Sequence, residues 1–243
     1  ALLGDIGFFG KYSLYNNPDL FDYFKDVADK LNKHDLVVGN LETPFVEGDF
    51  KEYGAKSAFI KLLPLNVKLL KYLNISVVNL ANNHTFDFGI ESKDFMYEDK
   101  KNKVCFSGFY GYMASPKGIY SKRKGYGVNG LRYQDVANKL ESNHENGFLS
   151  ILSIHAGLEH INYPRYEEVL MARKLSKIAP FIYYGHHPHV LQGMEEINNS
   201  LIAYSLGNFC FDDVYTPKSE SPLIIQSDNN KYSIILSLNI ESN

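Results

Sequence analysis

No apolar run in the 243 residues approaches the roughly 20 that a membrane-spanning helix needs. No secretory-type leader opens the chain either, and its first residues already read as strand. Cysteine is scarce. Cys105 and Cys210 are too few to define a disulfide framework at this size, and both sit in apolar, strand-like surroundings, so both are read as buried thiols. Dense basic tracts are missing as well: the formal net charge is -3, the pI is near 6.3, and the Lys and Arg residues are scattered. Nucleic acid is excluded as a partner on that ground, and the short run Lys122, Arg123, Lys124 is read as a solvated loop. Internal repeats, low-complexity tracts and an interdomain linker are also lacking. The chain is therefore read as a single domain over 1–243, with 44% hydrophobic and 22% charged residues, ordinary values for a globular protein with a sizeable core.

What is present alternates strand and helix over the first two-thirds. Leu2 to Ile6, Leu36 to Val38, Ile75 to Leu80, Val104 to Phe106, Phe148 to Ile154 and Phe181 to Tyr184 are short apolar runs expected to be strands. Between them, Pro18 to Lys33, Pro64 to Leu73, Tyr133 to Leu140 and Met171 to Ile178 carry apolar residues at helical spacing, and a polar helix is expected near Ile90 to Lys101. Strand, helix, strand units favour parallel pairing with right-handed crossovers. Gly108 to Gly130 reads as an irregular excursion. Beyond His189 the pattern changes. Val190 to Ile197, Ser200 to Leu206, Leu223 to Gln226 and Tyr232 to Leu238 read as antiparallel strands, joined by polar turns such as Asn198, Asn199 and Asp228, Asn229, Asn230. The expected class is α/β: two packed mixed sheets with helices outside.

Metal-competent residues collect where those strands end. Asp5 closes the first, Asn40 and Glu42 follow the second, Asn82, Asn83 and His84 follow the third, His155 follows Ile154, and Gly185-His-His-Pro-His189 follows Tyr184. Taken singly, each has a bland reading. Asp5 suits a turn or a cap, Asn82 and Asn83 suit turns, and His155 suits a hydrogen-bonded core position. His34, His144 and His160 are read as solvated, and at most one of Glu195 and Glu196 is expected to reach the site. Jointly they point to metal, because the ends of parallel strands converge on one edge. Pro188 between His187 and His189 restricts the backbone, and in an extended segment both rings would face one way. Carboxylate, amide and imidazole together suit Mn, Fe or Zn more than structural zinc. One or two such ions would support hydrolysis of a phosphate or similar anion, with His84 or His186 as general acid.

The runs Gly4-Asp-Ile6, Gly39-Asn-Leu-Glu-Thr-Pro44, Ala81-Asn-Asn-His-Thr-Phe-Asp-Phe-Gly89, Ile154-His-Ala-Gly157, Gly185-His-His-Pro-His-Val-Leu-Gln-Gly193 and Ile202-Ala-Tyr-Ser-Leu-Gly-Asn-Phe209 resemble CapA-type proteins of bacterial capsule synthesis, in family order. The resemblance implies a calcineurin-like metallophosphoesterase fold, a four-layer α/β/β/α sandwich with a dinuclear metal site. It implies the metal ligands Asp5, Glu42 (or Asn40 in its place), Asn83, His155, His187 and His189. Asn208, in the run after the histidine cluster, is expected to support those ligands or contact an anion. The resemblance also implies poly-γ-glutamate capsule production, an anionic polymer or phosphate-containing substrate, and capsule synthesis membrane proteins as partners. At full length such a protein is expected to be extracytoplasmic and membrane-associated. Two departures stand out: Gly7 occupies the place where metallophosphoesterases carry a ligand histidine, and Asn40 with Glu42 replaces the usual aspartates. A non-catalytic polymer-binding subunit and a phosphatase of small substrates are the rival expectations.

Overall fold

The computed structural model describes residues 1–48, 52, 58–88, 96–111, 128–215 and 221–241. Among them the strands are β1 (Leu2–Ile6), β2 (Val37–Leu41), β3 (Ile75–Asn79), β4 (Met96–Asp99), β5 (Val104–Tyr110), β6 (Leu149–His155), β7 (Phe181–His186), β8 (Met194–Ile197), β9 (Ser200–Ala203) and β10 (Asn208–Cys210). The helices are α1 (Leu20–Tyr23), α2 (Lys25–Leu31), α3 (Val67–Tyr72), α4 (Tyr133–Glu145) and α5 (Tyr166–Leu175).

Two sheets result. One has the order β10-β1-β2-β3 and is parallel throughout. The other has the order β4-β5-β6-β7-β9-β8 and is parallel inside, with an antiparallel strand at each edge.

Alternation along the strands builds the layers, because successive side chains leave opposite faces of a sheet. In the first sheet Leu3, Ile6, Val37 and Leu41 pack outward against Leu20, Phe24, Leu31 and Leu69 of the helical layer, Leu3 and Ile6 sharing a face because the register of β1 shifts between Leu2 and Ile6. Their neighbours Leu2 and Val38 face the other way, onto Val104, Phe106, Ile151 and Ile182 of the second sheet. That second sheet in turn sends Leu152, Ile154, Phe181 and Tyr183 outward onto Val136, Leu140, Ala172 and Leu175 of α4 and α5. Helix, sheet, sheet, helix is the four-layer α/β/β/α order expected from the resemblance. Fully buried leucines such as Leu31 and Leu69 each contribute roughly 1.5–3 kcal/mol by leaving water.

Several expectations change. Residues 96–99, read as part of a polar helix, form the edge strand β4, and charged residues such as Glu98 and Asp99 are what an edge strand tolerates. The remainder of that segment, 90–95, lies outside the described residues, as do most of the excursion, 112–127, and the Lys122 to Lys124 run. The C-terminal third is antiparallel only in part, in the β8–β9 pair and in isolated bridges. β9 inserts beside β7 and β10 beside β1, both parallel, while β8 and β9 form a hairpin turned by Asn198 and Asn199, with positive φ of 49° and 59°. Leu223 to Gln226 and Tyr232 to Leu238 make isolated bridges, Val214 with Ile224, Gly207 with Ser233 and Leu2 with Leu236, in place of regular strands. The two cysteines are free and buried, as expected.

Candidate metal centre at the joined strand ends

Strand register puts two polar rows at one edge of the sandwich. In the first sheet Asn208, Asp5, Asn40 and Asn79 are consecutive register partners across β10, β1, β2 and β3. In the second sheet Tyr110, His155 and His186 are partners across β5, β6 and β7. Tight packing of the sheets makes the rows meet: the main-chain N–H of His187 donates to Asp5 Oδ2 at 3.1 Å.

Asp5, Glu42 and His155 are fully buried, and one ligand atom from each lies within 4.8 Å of the other two. Asn40 Nδ2 donates to Asp5 Oδ1 at 2.8 Å and faces His155 Nδ1 at 3.2 Å, while Asn40 Oδ1 accepts from Asn79 Nδ2 at 2.9 Å. His155 Nε2 donates to Asn83 Oδ1 at 2.7 Å and stands 3.4 Å from Glu42 Oε1. That Nε2 proton is the one an ion would displace, since imidazole binds metal only through a bare nitrogen. His189 approaches from the other side, with Nδ1 3.4 Å from Asp5 Oδ2 and Nε2 3.8 Å from Glu42 Oε2. The His187 ring lies 4.8 Å from that of His155 and 6.2 Å from that of His189, measured between centroids.

The donor set fits a divalent cation. Two carboxylates buried together are costly without compensating positive charge, and the surrounding imidazoles supply little. Burial pushes His155 and His187 well below the ordinary histidine range, with neighbouring histidines adding to the effect. His186 falls to about 4, again through burial, against the opposing pull of Asp5. Neutral imidazoles beside buried carboxylates are the protonation states in which such residues bind metal.

The residues expected at the site fall into three positions. Asp5, Glu42, Asn83, His155, His187 and His189 all border the cluster. His84 sits beside it, close enough that its charge would bear on both His155 and His187, and its Nδ1 lies 2.7 Å from Asp87 Oδ2. His186 lies beneath it, fully buried, with Nδ1 3.5 Å from Asp5 Oδ1 and its ring edge-on to Tyr184. Contrary to the extended segment expected for the histidine pair, His187 and His189 have positive φ, 93° and 56°, so the backbone is left-handed at both positions. Neither Glu195 nor Glu196 reaches the site, because Glu195 pairs with Arg173 and Tyr204 and Glu196 is exposed. Three site residues escaped sequence reasoning. Asn79 ends a strand in register with Asn40, Glu159 Oε1 stands 3.8 Å from His187 Nε2, and Asp87 holds His84. An acidic residue four positions past a strand-end histidine was the available signal for Glu159.

A side chain at Gly7 would require a neighbouring ring to move. A Cβ there would stand 2.6 Å from Phe9 Cε1 and 3.0 Å from Phe211 Cδ2. These two rings meet edge to face with centroids 5.0 Å apart, and Phe211 also packs 4.6 Å from the His189 ring.

A family model described as "Bacterial capsule synthesis protein PGA_cap" matches residues 1–125 and 95–213. The chain is 29% identical over 231 residues to "PGA biosynthesis protein CapA" of Bacillus subtilis (strain 168), covering 84% of this chain and 60% of that protein. It is 30% identical over 234 residues to "Capsule biosynthesis protein CapA" of Bacillus anthracis, covering 84% of this chain and 57% of that protein. The chain thus spans somewhat more than half the length of these relatives. Among the described residues no helix is long and apolar enough to cross a membrane.

Proposed function

Because the chain belongs to the bacterial capsule synthesis protein PGA_cap family, we propose that it serves capsule or poly-γ-glutamate biosynthesis through a metal-dependent, hydrolase-like site. The observation that carries this reading is the convergence of Asp5, Glu42 and His155 on one point, all three fully buried. Mn, Fe or Zn suits the mixed donors. Asp5, Glu42, Asn83, His155, His187 and His189 would hold the ion or ions, which supply positive charge and Lewis-acid polarisation for an anionic substrate. Such a substrate is an anionic polymer or a phosphate ester, and capsule synthesis membrane proteins are the proposed partners at the outer face of the membrane.

The chain's own groups would then manage position and protons. His84 Nδ1–H donates to Asp87 Oδ2, which fixes the ring, so that in its protonated form Nε2–H is the group that would pass a proton to the leaving oxygen and become a bare nitrogen. His186, buried under Asp5, would hold that carboxylate in place without touching substrate. Metal analysis of protein purified without chelator tests the reading. Retention of Mn, Fe or Zn, lost in His155→Ala, supports it, and absence of any ion even after supplementation overturns the catalytic version.

One observation favours a second reading. With Phe9 and Phe211 crowding the Gly7 position, the site lacks the imidazole that the resemblance to metallophosphoesterases places there, which suits one strongly held ion or a polymer-binding role without turnover. Complementation of a deletion strain separates these: loss of capsule with His187→Ala and His189→Ala supports the metal-dependent reading, and full capsule supports the binding role.

A further inference from the structure

We propose that the segment from Gln226 to Asn230 is a positioning clamp that sets the tautomer and backbone of His189, turning its Nε2 toward Glu42. The inference rests on the reading of His189 as a metal ligand. It extends the site to a part of the chain beyond the family match, which ends at residue 213.

Hydrogen bonds around His189 leave one assignment for each amide and for the ring. Main-chain carbonyls only accept, so any side-chain atom bonded to one must be a donor. Asn208 bonds the carbonyl of Asn230 at 3.2 Å, which makes that side-chain atom the amide nitrogen, and the same nitrogen donates to Gln226 Oε1 at 3.2 Å. The other amide atom of Asn208 is therefore the oxygen. It lies 2.8 Å from His189 Nδ1, and since it can only accept, Nδ1 must carry the hydrogen. In the neutral ring the bare nitrogen is then Nε2, which stands 3.8 Å from Glu42 Oε2. A lone pair facing a carboxylate across such a gap is an arrangement that a cation between them completes.

Backbone control comes from the same segment. Asn230 Nδ2 donates to the carbonyl of His189 at 2.8 Å, which fixes the orientation of the Asn230 amide too. Its oxygen accepts from Ser227 N–H at 2.9 Å and from Ser227 Oγ at 2.6 Å, closing a short 3₁₀ turn over Asp228–Lys231. His189 has a φ of 56°, a conformation that persists for a non-glycine residue only where surroundings impose it. Asn208, Gln226 and Asn230 are all buried, so the clamp is shielded from competing water. Asp228, Asn229 and Asn230 look like an exposed turn in the sequence, yet Asn230 is only 2% exposed.

The test reads the tautomer directly in ion-free protein. Long-range proton–nitrogen spectra of histidine-labelled protein, in mildly alkaline buffer, distinguish Nδ1–H from Nε2–H rings, and the His189 signals are assigned by their loss in His189→Gln. The expected result is an Nδ1–H ring in the wild type and in Gln226→Glu, which keeps an acceptor, and a shift toward Nε2–H in two alanine variants: Asn208→Ala, which removes the acceptor of Nδ1–H, and Gln226→Ala combined with Asn230→Ala, which removes one acceptor of the Asn208 amide and opens the turn that holds the other. With manganese chloride alone as the probe, the two alanine variants bind roughly tenfold more weakly, as expected when support of a ligand is removed. An Nε2–H ring in the wild type, or alanine variants with unchanged tautomer, overturns the clamp. The expected tautomer pattern in a protein that binds no manganese supports the clamp and refutes the metal reading.

Discussion

Asp5 and His187, 182 residues apart, are joined by a hydrogen bond from the His187 main-chain N–H to Asp5 Oδ2 at 3.1 Å. The bond ties the carboxyl end of β1 in one sheet to the loop after β7 in the other. It means that the carboxylate which offers itself to a cation also supports the left-handed backbone of the histidine pair, so site and fold share one residue.

Asp5 substitutions should therefore separate the two roles. Asp5→Ala removes the acceptor of the buried His187 N–H and should destabilise the ion-free fold by roughly 1–3 kcal/mol, the cost of one orphaned buried donor, while Asn40 Nδ2 keeps His155 Nδ1 as a partner at 3.2 Å. Asp5→Asn keeps an oxygen and the shape but not the charge. It should cost less stability while weakening manganese binding by roughly an order of magnitude or more. Urea unfolding and titration calorimetry measure the two effects separately, and equal manganese affinity in Asp5→Asn would remove Asp5 from the ligand set.

The pairing of His84 with Asp87 makes a second prediction. Asp87 is fully buried and its Oδ2 accepts from both His84 Nδ1 and the Ile60 N–H, at 2.7 and 3.0 Å. If His84 passes a proton to the leaving group, His84→Ala should lower turnover by roughly a hundredfold or more without loosening the ion. Asp87→Asn should lower it by a smaller factor and also lower the melting temperature, because the Ile60 loop is anchored there. Turnover against phosphomonoesters and phosphodiesters with manganese present is the assay, and turnover in His84→Ala equal to wild type would end the general-acid role.

How much of this could be read from the chain depends on whether a feature is local. Asp5, Asn40, His155 and His186 sit at strand ends that short apolar runs and helical spacing mark out, and parallel register does the rest. The strand neighbours of β9 and β10 are set by tertiary packing: Tyr183 partners Ile202 and Asp5 partners Asn208, pairings that no alternation within the partnered segments encodes. The edge strand Met96–Asp99 was masked by its charges. Asn230 was hidden for the opposite reason, since a polar turn and a buried polar clamp have the same composition, and only the acceptors it meets distinguish them.

Buried histidines predict an acid-sensitive fold in the ion-free protein. The His186 pKa is lowered from 6.5 to about 4, first by burial. At a pH between those values the unfolded chain binds a proton that the folded chain refuses, so stability is full above about 6.5 and is lost as pH falls toward 4. His155 and His187 shift the same way, first through burial, and deepen the loss. The His186 share is on the order of 3 kcal/mol at its largest. Urea unfolding across this range should show the decline, and His186→Gln should flatten part of it. A stability profile independent of pH there would mean that these rings are hydrated in solution.

Gly7 gives the last prediction, because the obstacle there is space. A Cβ at 2.6 Å from Phe9 Cε1 and 3.0 Å from Phe211 Cδ2 forces one of two rings to move, so Gly7→Ala should destabilise by about 1–3 kcal/mol. Phe9 is only partly buried and is the ring that can yield. Gly7→Ala combined with Phe9→Ala should thus cost less than the two changes summed, by about 0.5–3 kcal/mol of coupling. The same cycle with Gly7→His asks whether sterics or chemistry limits the ion count: the wild type is expected to bind one manganese ion, and Gly7→His with Phe9→Ala to bind a second through the new imidazole beside Asp5. A stoichiometry of two in the wild type would show that the Phe9–Phe211 pair closes nothing, and additive energies in the alanine cycle would show that these rings do not oppose a side chain at position 7.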